Sequence, residues 1–61
     1  MLTSAISLKK TVEALEKELI IKAMKENNGV IAKAARQLDL TERILSYKIK
    51  KYQIPRDSVD H

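Results

Sequence analysis

Apolar residues recur along this chain in steps of three and four, the period of an α-helix packed on one side. Leu8, Val12, Leu15 and Leu19 follow 4, 3, 4 spacing, and Ile20, Ala23 and Met24 widen that surface into a second stripe. Ser7 stands where an N-cap belongs, and Asn27, Asn28 and Gly29 bring the segment to a stop. The spacing therefore predicts a helix over residues 8–27. One stripe serves the chain's own core. The other calls for cover, and in a chain of 61 residues a second copy of the same helix is the expected cover, through Leu8, Val12, Leu15, Leu19 and Ala23. The competing arrangement wraps both stripes around a single three-helix core. Glu13 with Lys17 and Glu18 with Lys22 are i, i+4 pairs that mark a solvated face. Residues 1–6 are weakly patterned and expected to fray.

Past Gly29 the pattern shortens. Ala34, Ala35 and Leu38 supply the inner face of a helix predicted over residues 30–38, and Leu40 plugs a corner. Thr41 is placed to cap a third helix, predicted over residues 42–52, in which Leu45, Ile49 and Tyr52 recur at i, i+4 and i+7. Small side chains at the crossing and apolar residues meeting from both sides are the signature of a helix-turn-helix. At about 100° per residue, the face opposite Leu45 and Ile49 carries Arg43, Tyr47 and Lys50, flanked by Ser46 and Lys51. Pro55 stops any continuation, and residues 55–61 read as a loose polar tail. No segment has the alternation of a strand. The expected fold is all-α, a single three-helix domain over residues 1–61 with a C-terminal helix-turn-helix.

Composition narrows the chemistry. The chain has no cysteine, and its one histidine is the terminal His61, so neither a disulfide framework nor a zinc cluster is expected. No run approaches the ~20 apolar residues of a membrane span, and no apolar signal segment opens the chain, which makes a cytoplasmic protein with no membrane partner the expectation. The net charge of +4 is unevenly placed: residues 29–61 hold seven Lys or Arg against four acids, and from Lys33 to Arg56 the ratio is seven to two. A basic face opposite a packed one, on the second helix of a helix-turn-helix, makes double-stranded DNA the expected partner. A guanidinium at Arg43 can bridge guanine O6 and N7 or contact a phosphate. Ser46 and Tyr47 can touch a base edge or a phosphate, with a ring half-buried in the helix seam as the alternative for Tyr47. Lys48, Lys50 and Lys51 are expected to neutralise backbone phosphates, Glu42 to serve the helix dipole or accept from cytosine N4, and Lys33 and Arg36 to flank phosphates or simply be solvated. Nothing pairs a nucleophile with a base, so no enzymatic activity and no cofactor are expected. Two other readings stand beside sequence-specific binding: architectural DNA bending without base preference, and a small helical protein-interaction module.

A first helix of the form LKxxVEALEKELI, a following GxxxKAARxL, and a third helix ending KIKKYxI resemble the Fis-type helix-turn-helix that closes the bacterial enhancer-binding activators of sigma-54 RNA polymerase. Val30 to Arg36, together with Ser46-Tyr47-Lys48-Ile49, look most like the nitrogen-fixation and nitrogen-regulation branch. The resemblance implies a homodimer built through the first two helices, with the two third helices in successive major grooves of an enhancer-like palindrome. It puts Thr41, Glu42, Arg43, Ser46, Tyr47, Lys50 and Lys51 at or near DNA. It also implies ATPase and regulatory domains upstream in a parent activator, through which sigma-54 polymerase would be contacted. Four positions depart from the family's usual residues: Asp39 replaces the turn glycine, Val30 an asparagine, Ile44 a hydroxyl residue, and Glu42 a basic or neutral one. Asp39 tolerates the left-handed backbone such a turn requires, at some cost relative to glycine.

Overall fold

The computed structural model describes residues 7–55, so the fraying expected of residues 1–6 and the tail expected beyond Pro55 lie outside the described residues. Three helices follow one another, α1 (Leu8–Glu26), α2 (Ile31–Gln37) and α3 (Glu42–Lys51), with no strand among the described residues. Each helix stops one residue short of the span read from the sequence, because Asn27, Leu38 and Tyr52 are the C-caps. Two of the three starts are capped. The Ser7 hydroxyl accepts from the Lys10 amide at 3.3 Å, and the Thr41 hydroxyl accepts from the Ile44 amide at 3.1 Å. Val30 caps α2 with no side-chain bond, as an aliphatic residue must.

All three helices end by the same device. The residue after each C-cap turns left-handed, Asn28 at φ 55°, Asp39 at φ 64° and Gln53 at φ 54°. The next amide then reaches back to a carbonyl five residues earlier: Gly29 to Met24 at 2.8 Å, Leu40 to Ala35 at 2.8 Å, and Ile54 to Ile49 at 3.0 Å. This closure satisfies carbonyls the helix leaves unpaired and sends the following side chain back onto the helix it has just left. Leu40 and Ile54 accordingly return to the core, Ile54 as a buried residue and Leu40 packed against the cluster. The corner between α2 and α3 is one of these closures followed at once by the Thr41 cap.

Leu45 and Met24 are the largest fully buried side chains, and Ile20, Ala23, Ala34, Ala35, Ile49 and Ile54 complete the core. Ala34 and Ala35 let α2 approach both neighbours, and α2 packs on α1 and on α3. The far ends of α1 and α2 are tied by polar side chains. Asn27 donates to the Gln37 carbonyl oxygen at 2.8 Å, and Gln37 donates to Glu26 at 2.7 Å.

The 19 residues of α1 outrun this small core, and the molecule measures 40 × 23 × 17 Å. The stripe left uncovered is Leu8 (78% exposed), Val12 (46%), Leu15 (56%) and Leu19 (48%). Ala23 does not share it. Its methyl is wholly buried in the chain's own core, because it lies on the side of α1 that Ile20 and Met24 occupy, so it is not available to a second copy. No helix among the described residues is long and apolar enough to cross a membrane.

With so few buried side chains, deleting one large one should be felt throughout. Leu45→Ala is expected to lower unfolding free energy by about 2–5 kcal/mol, whereas Tyr47→Ala on the exposed face of the same helix should stay within about 0.5 kcal/mol. Urea denaturation of the two variants checks this, and comparable losses would mean that α3 packs by another face.

Candidate nucleic-acid interface

The orientation of α3 follows from its buried residues. Leu45 and Ile49 face the core and Tyr52 packs against it, so the helix presents the opposite side to solvent. Thr41, Glu42, Arg43, Tyr47, Lys50 and Lys51 are all exposed there, and Ser46 sits half-buried at the margin. The Tyr47 ring is 63% exposed and does not fill the seam between helices. Glu42 occupies the first turn and Lys48, Lys50 and Lys51 the last, each charge matched in sign to its end of the helix dipole. Exposed Lys33 and Arg36 on α2 add further positive charge.

The lysines of α3 divide into two sets, a division invisible in the sequence. Lys48 is half-buried, and its ammonium donates to Glu16 of α1 at 3.1 Å; the Tyr52 hydroxyl donates to the same carboxylate oxygen at 2.6 Å. Lys51 lies 4.0 Å from Glu13 and 5.5 Å from the centre of the Tyr52 ring. Both ion pairs found among the described residues therefore join α1 to α3. Glu13 reaches across to α3, although its spacing had suggested Lys17 on its own helix. Arg43 and Lys50 take part in no ion pair among the described residues. Lys48, expected from its charge to neutralise a phosphate, is instead held against α1 by its angular position on the core side of the helix.

The shared carboxylate and the Tyr52 hydroxyl shift each other's titration. The Tyr52 hydroxyl, and after it the Lys48 ammonium, hold Glu16 below its ordinary 4.5. The same bond to the Glu16 anion pushes Tyr52 up to about 12. Spacing arguments could not find this cluster, because its members are 32 and 36 residues apart. The sequence marked Ile44 only as a departure from the family's usual hydroxyl residue and assigned it no contact. Ile44 is 44% exposed on the first turn of α3, where the expectation of a polar contact set leaves an isoleucine without a role.

Residues 11–52, more than half of the chain, match the family model described as Bacterial regulatory protein, Fis family. The nitrogen fixation protein AnfA of Azotobacter vinelandii is 35% identical over 49 residues, a stretch covering 80% of this chain and 9% of that protein. This chain thus spans a small part of the length of that curated relative. No solved structure matches.

The Glu16 anion is bonded in the folded chain and free in the unfolded one. Its stabilisation is therefore complete above 4.5 and is lost as pH falls through the lower folded-state value. Tyr52 acts in the opposite sense: it must keep its proton to donate, so its contribution is complete below 10.0 and lost as pH rises through about 12. Urea midpoints followed downward from neutral pH should fall more steeply for the native chain than for Glu16→Gln. Parallel curves would show that the carboxylate does not tie α3 to α1.

Proposed function

The chain belongs to the Fis family of bacterial regulatory proteins, and from that premise we propose that it is the DNA-binding domain of a sigma-54-dependent transcriptional activator, reading a palindromic enhancer-like site as a homodimer. The observation that carries the reading is the division of α3, with Leu45 and Ile49 locked in the core and Arg43, Tyr47 and Lys50 presented together outward. A helix held by one face and basic on the other is suited to the major groove, where base edges differ and phosphates line both walls. In this reading Arg43 contacts a base or a phosphate at the first turn. Lys50 neutralises a phosphate, Lys51, exposed and only loosely paired with Glu13 at 4.0 Å, exchanges that acid for another phosphate, and Thr41, Glu42, Ser46 and Tyr47 lie along the groove floor and wall. The similarity to a nitrogen fixation protein supports a place in nitrogen regulation for the parent protein.

The uncovered stripe on α1 supports the dimer. Among the described residues eight are buried, three of them alanine, a thin core for a chain without cysteine, and small domains commonly draw their remaining stability from association. Leu8, Val12, Leu15 and Leu19 are the residues a second copy would cover, each contributing at most about 1.5–3 kcal/mol on leaving water. Two-fold symmetry then sets the site. The two α3 helices must meet half-sites about 34 Å apart, or the DNA must bend to bring them into register.

Selection from a randomised duplex pool at two salt concentrations tests the whole reading. A palindrome should be enriched, and with ~6–10 phosphates neutralised per dimer its affinity should fall by about 10³–10⁵ between 50 and 200 mM salt. Binding without enrichment would indicate an architectural protein, and no binding at low salt would indicate a protein-interaction module. On the selected site, Arg43→Ala should cost about 1–3 kcal/mol and relax one position per half-site. An equal loss on every sequence would make Arg43 a phosphate contact. Leu15→Glu should shift sedimentation from dimer to monomer and weaken binding to the palindrome; a variant that remains dimeric would remove α1 from the interface.

A further inference from the structure

Ile44 is the third residue of α3, in the same turn as Arg43 and one turn before Tyr47 and Lys48. Its amide is bonded to the Thr41 hydroxyl at 3.1 Å, so the turn that carries it is fixed at its start. Its side chain is 44% exposed and that of Tyr47 is 63% exposed, and at i and i+3 the two stand side by side on the helix surface. They are the large exposed hydrophobics of α3. Around them the face is cationic, with Arg43, Lys50 and Lys51 all exposed and Glu42 the sole acid of the helix.

An apolar step ringed by cations fits one occupant well. Phosphates complement the surrounding charge, which a protein partner would have to match with its own acids. Between the phosphates, the floor of the major groove presents a single purely apolar group, the C5-methyl of thymine. A β-branched side chain is also stiff about its first torsion, so little rotamer freedom is lost when Ile44 is held against a partner. We propose that Ile44 determines specificity by packing against the 5-methyl group of a thymine in each half-site, with the Tyr47 ring covering the methyl from the following turn. This inference rests on the DNA-binding reading above and goes beyond it, since it assigns a base at a position no hydrogen bond reads.

Deoxyuridine differs from thymidine only in lacking that methyl, which makes it the discriminating probe. The duplex selected from the randomised pool is resynthesised with deoxyuridine replacing thymidine at one half-site position at a time, and the native chain and Ile44→Ala are titrated against each copy. Ile44 is exposed and alanine favours helix, so the variant should keep its circular dichroism spectrum. The native chain is expected to lose about four-fold per half-site at one position, the worth of one buried methyl group. Ile44→Ala should bind the thymidine and deoxyuridine duplexes equally at that position. Undiminished binding of the native chain to every deoxyuridine copy overturns the assignment, as does an unchanged loss in Ile44→Ala. Binding without enrichment overturns the sequence-specific reading, and no binding to any duplex overturns DNA binding altogether; either result removes this inference with it.

Discussion

The structure depends on how closely α2 can lie against its two neighbours, and that distance is set by Ala34 and Ala35. Both are buried, and neither extends beyond a methyl group. Where two helices cross over such residues, interaxial distance approaches the lower end of its range and the space between is filled from the other side. Met24 of α1 and Leu45 of α3 share one buried cluster with both alanines. Had either alanine been a larger residue, α2 would stand off both helices and Leu45 would lose the walls of its pocket. Every later property of α3, including which residues it shows to solvent, descends from Leu45 having somewhere to go.

The chain reaches that crossing through turns of one kind. A left-handed residue after each C-cap returns the chain on itself, and after α2 and α3 the residue that follows, Leu40 or Ile54, packs back onto the core. Glycine is the least costly residue at such a position, yet Asn28, Asp39 and Gln53 occupy the three here. Asparagine and aspartate visit that region more readily than other side chains. For Gln53 the compensation is Ile54, which the turn delivers into the core ahead of Pro55.

Charge is arranged on α3 in two layers with separate consequences. Lys48 and Tyr52 bond Glu16 and tie the C-terminal end of α3 to α1, where backbone packing between those two helices is sparse, while Lys51 lies at 4.0 Å from Glu13 with its ammonium still open to solvent. Arg43 and Lys50 take part in no ion pair among the described residues and keep their field for whatever approaches from solvent. Because the tie runs to the same helix that carries the uncovered leucines, the angle of α3 is referred to α1. In a two-fold assembly through α1, that reference would set the separation of the two α3 helices.

The sequence by itself determined the three helices, the Ser7 and Thr41 caps and the side of α3 that faces the core, because periodicity, capping hydroxyls and turn residues act within a few positions of one another. Leu45, Ile49 and Thr41 were legible for that reason, whereas the left-handed backbone at Asp39 came from the family resemblance. Only the tertiary structure decided what lies between elements. It put Ala23 inside the core rather than on the outer stripe of α1, left Tyr47 out of the seam, and engaged Lys48 with an acid 32 residues away. These outcomes turn on the angle and distance at which helices cross, and such quantities arise from packing many side chains at once, which no local spacing in the chain encodes.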